Sequence, residues 1–200
     1  MVTARRVKKR LSEPIKNAPV CAGLLELLGY RVPRSAHGLK KAKTAPTLER
    51  TLVDSGVPEF VELELDELWS FVRAKSCKRW LWLAVCKHTR QVVACVVGGR
   101  SIATCEQLWR SVPDAYKQGI IFSDFWEAYR AVIPDGQHQP VGKETGLTAH
   151  VERFNNTIRQ RLARFVRKTL SFSKSESMHL ICLHLFLVRY NLDLKAGSLR

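Results

Sequence analysis

Acidic residues, paired cysteines and long apolar runs are all scarce in this chain of 200 residues. Its 18 Asp and Glu are outnumbered by 33 Lys and Arg, and the net charge of +15 favours a polyanionic partner. The six cysteines include no CxxC pair, which argues against a zinc site. No stretch approaches the roughly 18 uninterrupted apolar residues of a spanning helix, and no apolar signal core follows the basic start. We therefore expect a cytoplasmic protein with no membrane partner.

The chain does have enough apolar residues for a folded domain, at 46% of the total with five Trp and eight Phe. Residues 1–58 differ from the rest, because they hold five of the eight prolines and twelve Lys or Arg. We interpret them as a basic N-terminal segment, either a partly disordered arm or a remnant DNA-binding helix pair over 21–28 and 31–43. Its first basic cluster is predicted to contact phosphates without reading sequence, through Arg5, Arg6, Lys8, Lys9 and Arg10.

Periodic patterns after residue 60 predict five strands and four helices. A strand that begins near Val61 alternates apolar and acidic residues, and apolar runs over 79–88 and 91–98 are joined by a tight turn, so these three form an antiparallel meander. Further strands are predicted over 119–123 and 137–141, and helices over 102–112, 125–132, around Glu152 and over 178–190. This order matches an α/β, ribonuclease-H-like fold: a mixed five-stranded sheet flanked by helices over 59–192, with a tail over 193–200.

Three carboxylates are expected to meet at one edge of that sheet. Asp66 lies on the first strand, Asp124 follows the fourth strand, which is the neighbour of the first in this fold, and Glu152 lies on a late helix. Phosphodiester chemistry needs an activated nucleophile and a stabilised leaving oxygen. Two Mg²⁺ ions about 3.5–4 Å apart supply both, and they take carboxylates together with water and substrate oxygens. We therefore predict that these residues are catalytic and metal-binding, with Asp66 bridging both ions.

Each of the three also has an ordinary structural explanation. Asp66 fits a solvated strand face among Glu62, Glu64 and Glu67, of which the first two share its face and the third points the other way, towards a surface Lys or Arg. Asp124 fits the cap of the helix that follows it. Glu152 fits an ion pair with Arg159 or His150. The catalytic interpretation depends on the joint placement of the three in the element order.

The segment 147–174 carries Glu152 in a basic surrounding. An apolar stripe at helical spacing predicts a helix, and it consists of Val151, Phe154, Ile158, Leu162 and Phe165. From Arg153 to Lys174 there are seven Lys or Arg and no acid. The polar side of this segment is predicted to bind DNA through Asn155, Asn156, Arg159, Arg161, Arg164, Arg167 and Lys168. His150, about 200° around the helix from Glu152, is predicted to contact phosphate or sugar. Trp126 is kept as a candidate substrate contact.

Three stretches of the chain resemble the catalytic portion of the insertion-sequence-one family of bacterial transposases. They are DELWSFVRAKSCKRWLW, SDFWEAY and HVERFNNTIRQRLARFVRKTLSFSKS. The resemblance implies a ribonuclease-H-like fold, dependence on Mg²⁺ or Mn²⁺, and a catalytic triad that falls on Asp66, Asp124 and Glu152. It also implies a bacterial, nucleoid-associated protein that acts as a homo-oligomer on transposon ends and target DNA. The likeness is to the second reading frame's product, whose upstream-frame partner is a DNA-binding protein, and the usual Gly after the second Asp is Phe125 here.

The sequence therefore predicts a DNA transposase catalytic domain, which cleaves strands at transposon ends and transfers them into target DNA. Two alternatives stay open. One is a nuclease on the same fold without joining activity, and the other is a noncatalytic DNA-binding regulator of transposition. The products separate the first alternative from a transposase, and salt-sensitive binding without Mg²⁺-dependent change in the DNA marks the second.

Overall fold

The computed structural model describes residues 44–53 and 61–197. The basic cluster from Arg5 to Arg10 and the predicted helix pair over 21–28 and 31–43 lie outside the described residues. Part of the predicted N-terminal segment is described: residues 48–52 pack onto the domain, where Leu48 and Thr51 are fully buried. The domain core therefore includes side chains that precede residue 59.

A mixed sheet forms the centre of the molecule, with the strand order β3-β2-β1-β4-β5. Its strands are β1 (Glu62–Phe71), β2 (Lys78–Cys86), β3 (Val92–Gly98), β4 (Ile120–Ser123) and β5 (His138–Pro140). The first three pair antiparallel, whereas β4 runs parallel to both β1 and β5. The predicted meander and the predicted pairing of the first and fourth strands are confirmed, and so is the ribonuclease-H-like fold class.

Alternation along β1 divides the core between the two faces of the sheet. Leu63 and Leu65 face one apolar cluster, whereas Leu68 faces the other, and the even-numbered residues Glu64 and Asp66 lie on the side of Leu68. The turn between β2 and β3 uses Arg90 with a φ of 59°, a left-handed conformation that tight hairpin turns require. Side-chain direction is thus fixed for every carboxylate of β1.

Helices cover both faces of the sheet. Helices α1 (Ile102–Ser111) and α2 (Glu127–Val132) pack on the face of Leu63, through buried residues that include Leu108 and Tyr129. Helices α3 (Ala149–Arg161) and α4 (Glu176–Lys195) pack on the opposite face. Within the described ranges, no helix is long and apolar enough to cross a membrane.

Helix α3 ends earlier than its apolar stripe predicts. The backbone of Leu162 is extended, with φ −113° and ψ 92°, and a short 3-10 turn (Ala163–Phe165) follows. Phe165 is nevertheless buried and stacks on His179 with ring centroids 4.2 Å apart. The turn brings an apolar side chain back to the core, so the pattern predicted the burial correctly and the continuous helix wrongly.

Candidate active site

The four carboxylates of β1 differ in their partners. Glu62 forms ion pairs with Lys87 at 3.1 Å and His88 at 3.3 Å. Glu67 lies on the opposite face from Asp66, as predicted, and accepts from Arg100 at 2.7 Å and from the Tyr129 hydroxyl at 2.8 Å. The Glu67 side chain is only 2% exposed, so Arg100 neutralises a buried carboxylate from the solvent side.

Glu64, the remaining neighbour of Asp66 on the same face, holds the start of α3. It is fully buried, and one oxygen accepts from the backbone N–H of Val151 at 2.8 Å while the other lies 2.7 Å from His150 Nδ1. The first N–H groups of a helix have no partner within the helix, so a carboxylate from the sheet stabilises this end. Glu64 is thus an anchor for α3 and no rival to Asp66 as a ligand. His150, predicted to contact phosphate or sugar, is turned towards Glu64.

Asp66 is held by amide donors and by no cation within the described part of the chain. Its Oδ1 accepts from the backbone N–H of Glu67 at 2.8 Å, and its Oδ2 accepts from the Asn155 amide at 2.6 Å. Asn155 is 7% exposed, so it lies against Asp66 instead of on the outer surface where a DNA contact was predicted. A sequence pattern does not distinguish this role, because Asn155 shares its stripe with residues that point to solvent.

The register of the parallel strands places Asp124 beside Asp66. Leu63 pairs with Ile121 and Glu64 with Phe122, so two further residues along each strand bring Asp66 opposite Asp124. Asp124 follows the end of β4, and its Oδ1 accepts from the backbone N–H of Trp126 at 3.1 Å. The cap contact predicted as an alternative is therefore present and engages one of the two carboxylate oxygens.

Glu152 lies on the first turn of α3, one residue after the Val151 N–H that Glu64 binds. Among the described residues, its hydrogen-bond partner is the Thr148 hydroxyl, which donates to Oε1 at 3.4 Å. In the described ranges neither Arg159 nor His150 forms the ion pair with Glu152 that the sequence left open. Among these residues Asp66, Asp124 and Glu152 are alike in having no cationic partner.

The charges of Asp124 and Glu152 act on Asp66. Burial raises the pKa of Asp66 to about 7, and the negative charges of Glu67, Asp124 and Glu152 raise it further, against the Glu67 N–H, which lowers it. Unbalanced negative charge of this kind is typical of functional carboxylates. The strand register and these charge interactions thus place Asp124 and Glu152 near Asp66.

These residues fit a hard divalent cation in their chemistry. Carboxylate and amide oxygens are the ligands that Mg²⁺ prefers, and the Oδ1 of Asn155 is buried beside Asp66 with no hydrogen-bond partner. As the side chains are placed, no three His, Cys, Asp or Glu residues of the described chain stand close enough together to hold an ion.

The remaining predicted DNA contacts of the segment after Glu152 differ in exposure. Asn156, Arg161, Arg167 and Lys168 are exposed, and Arg159 and Arg164 are partly buried. The Arg159 Nε is buried with no partner, and burial followed by the charge of Arg167 lowers the pKa of this guanidinium while Asp66 raises it. Trp126, the candidate substrate contact, stacks on Trp82 at 5.1 Å and lies under Arg100 at 4.0 Å, which places it in the packing around Glu67.

The fold defines the class: a ribonuclease-H-like protein, in which β1, the end of β4 and α3 carry Asp66, Asp124 and Glu152. Residues 59–191 match the model of the IS1 transposase family, and the chain belongs to that family. It is 41% identical over 116 residues to the insertion element IS1 protein InsB of Shigella flexneri. The aligned residues make up 58% of this chain and 86% of the relative. It is 37% identical over 141 residues to the insertion element IS1 1 protein InsB of Escherichia coli K12, 70% of this chain and 81% of the relative.

Proposed function

We propose that this transposase domain cleaves a DNA strand at the transposon end and joins the freed 3′-hydroxyl to target DNA, with Asp66, Asp124 and Glu152 as its catalytic residues. One observation carries the assignment. The parallel pairing of β1 with β4 aligns two of these acids, and α3 brings the third to the same edge, where none of them has a cationic partner among the described residues. Such an arrangement is costly for a purely structural role, because grouped negative charges repel one another.

The three carboxylates are proposed to hold two Mg²⁺ or Mn²⁺ ions. When bound, such ions lower the pKa of the attacking hydroxyl group and stabilise the leaving oxygen. The protein contributes the orientation of the ligands. The Asn155 amide and the Glu67 N–H fix Asp66, the Trp126 N–H fixes Asp124, and Glu64 fixes the helix turn that carries Glu152.

The DNA-binding surface is proposed to begin at Arg159. Its buried, unpartnered Nε lies near Asp66, where a phosphate oxygen would satisfy it. The exposed Asn156, Arg161, Arg167 and Lys168 continue this surface. Contacts by the arm from Arg5 to Arg10, assembly into a homo-oligomer, and cooperation with an upstream-frame DNA-binding protein stay predictions.

A strand-transfer assay with labelled DNA ends of the element and a target plasmid tests the proposal. Asp66→Asn, Asp124→Asn and Glu152→Gln should each reduce both cleavage and joining by about 10²–10³-fold, as the loss of an active-site electrostatic group typically does. Glu62→Gln is the matched control, since it removes a β1 carboxylate whose partners are Lys87 and His88. Undiminished activity in any triad variant would remove that residue from the site.

The products decide between the proposal and its alternatives. Covalent donor–target joints identify a transposase, whereas nicks alone identify a nuclease on the same fold. A noncatalytic regulator would bind the ends in a salt-dependent way and leave the DNA unchanged when Mg²⁺ is added.

A further inference from the structure

A cavity of about 630 Å³ lies beyond the C-terminal end of α3, outside the carboxylate group. It is bounded by the last residue of α3 and residues 162–164 after it, by the loop over 170–175 and by the first turns of α4. Its wall combines apolar side chains with three cations, and the main ones are Leu162, Phe172, Met178, Arg161, Arg164 and Lys174. Its volume is within the range of about 300–1,000 Å³ that is usual for small-ligand sites.

The charge of the cavity selects an anionic ligand. No Asp or Glu lines it, and Arg161, Arg164 and Lys174 form no ion pair with any other residue of the described chain. Leu170, at the same cavity, is 98% exposed, an unusual state for a large apolar side chain. An apolar floor with unpaired cations suits a flat base flanked by phosphates, since stacking and phosphate contacts together bind single strands.

The cavity and the carboxylates lie at opposite ends of α3. Glu152 and Arg161 lie nine residues apart, which is about 14 Å along the helix axis and about half a turn around it, or roughly four nucleotide steps of B-form DNA in the axial direction. Arg159 lies seven residues after Glu152 and on the same side of α3, and it interacts electrostatically with Asp66 and with Arg167, so positive charge extends from the carboxylates to residues beyond the end of α3. A DNA strand that follows these cations would pass around the end of α3 to reach the cavity.

We propose that this cavity binds one unpaired nucleotide of the DNA strand held at the carboxylate site; this rests on the proposed function in taking DNA as the polyanion. The base packs on Leu162 and Phe172, and its phosphates contact Arg161 and Lys174. A base inside a duplex has both faces stacked and its edge paired, so it does not enter without leaving the helix. The cavity therefore prefers single-stranded or frayed DNA over fully paired DNA.

Cys182 provides a direct probe, because its half-buried thiol lines the cavity and Cys77 is an exposed free thiol outside it. The full chain is treated with N-ethylmaleimide without metal, and alkylation of each cysteine is followed by peptide mass spectrometry. A short oligothymidylate should slow alkylation of Cys182 several-fold and leave Cys77 almost unchanged, whereas a blunt duplex of the same length should protect Cys182 much less. Equal protection by both DNAs, equal slowing of both thiols, or no protection would overturn the proposal.

Variants at the exposed rim test the same site without disturbing the core. Leu170→Glu and Lys174→Glu should each weaken oligothymidylate binding, measured by fluorescence anisotropy, by about tenfold, the size of one lost stacking or phosphate contact. Arg110→Glu on the opposite face of the sheet makes the same charge change as Lys174→Glu and should alter binding little. Equal weakening by Lys174→Glu and Arg110→Glu would show a general charge effect and refute the site.

The Asp66→Asn protein separates this inference from the proposed function. Its carboxylate group is altered but its cavity is intact, so Cys182 should stay protected by oligothymidylate while strand transfer is lost. Protection of Cys182 in a wild-type protein that never joins DNA would refute the proposed function alone. Full strand transfer without any protection would refute the cavity alone.

Discussion

At the scale of single residues, the acidic strand β1 separates into acids with a structural partner and one without. Glu62, Glu64 and Glu67 each have a histidine, lysine or arginine beside them, whereas Asp66 has two amide donors and the negative charges of its neighbours. The sequence favoured Asp66 by its place in the element order but left Glu62 and Glu64 as rivals on the same face, because alternation fixes only the face on which each residue lies. The partner is what distinguishes an anchor from a candidate ligand.

The anchor role of Glu64 predicts a difference between two substitutions. Glu64→Ala leaves the buried Val151 N–H and the His150 ring without their acceptor, so we expect a loss of about 2–3 kcal/mol in the free energy of unfolding, measured with urea. Glu64→Gln keeps one acceptor and should cost about 1 kcal/mol. Strand transfer should fall with both, more steeply with Ala. A cost no larger than that of Glu62→Ala would contradict the anchor.

His179 predicts a specific pH dependence of stability. It is fully buried between Ser70 Oγ at 3.0 Å and Ser173 Oγ at 2.8 Å, and burial lowers its pKa to about 4 from an ordinary value of 6.5. Between pH 6.5 and 4 the unfolded chain binds a proton at this residue and the folded chain does not. This contribution is therefore complete above pH 6.5 and is lost as the pH falls towards 4, by up to about 3 kcal/mol.

The measurement compares unfolding free energies of the wild type and His179→Gln at several pH values. The comparison with a variant is needed because a second group also changes stability over this pH range. The pKa of Asp66 is raised in the folded protein, so Asp66 stabilises the folded state as the pH falls below 7. The Gln variant should lose less stability than the wild type on going from pH 6.5 to 4. If the unfolding free energies of the two proteins fell in parallel with pH, His179 would take up its proton in the folded protein as readily as in the unfolded chain, which would contradict the prediction.

At the scale of elements, the sequence predicted most of the fold because the signals are local. Period-two alternation and apolar runs located all five strands, and their observed ends differ from the predicted ones by at most two residues. The end of α3 was missed because Phe165 keeps helical spacing although Leu162 leaves the helix. The element order also brought Asp66, Asp124 and Glu152 together. Their support by Asn155 and Glu64 could not be predicted, because those contacts join residues 89 and 87 positions apart.

The entry to β4 predicts a sensitive glycine. A Cβ at Gly119 would collide with the backbone carbonyl and side chain of Val61, where Ile120 N–H donates to the Val61 oxygen at 2.9 Å. Gly119→Ala should shift β4 relative to β1 and cost about 1–3 kcal/mol in unfolding free energy. It should also reduce strand transfer, since the same register aligns Asp124 with Asp66. Gly136→Ala is the control, because a Cβ there meets nothing within 4 Å. Equal stability of the two variants would contradict the predicted collision.

At the scale of the whole molecule, the sheet separates two surfaces of different character. The α3 side carries the grouped acids and, from Arg153 to Lys174, seven cations without an acid. On the other side the cations of α1 and the loop after it have partners, as in Arg110 with Glu106 and Lys117 with Asp114. The net charge of +15 thus understates how strongly one side attracts a polyanion.

This asymmetry predicts which charges determine the salt dependence of DNA binding. Each phosphate contact releases counterions, so removal of one contact lowers the slope of log K against log salt by about 1. The double variant Arg161→Gln, Lys168→Gln should therefore lower the slope by about 2, because both side chains are exposed cations of the basic segment that follows Glu152. Arg110→Gln, which removes one cation from the opposite side, should leave the slope unchanged. Anisotropy titrations of one duplex at several salt concentrations give these slopes. A decrease of similar size per charge in Arg110→Gln would mean that DNA does not bind along α3.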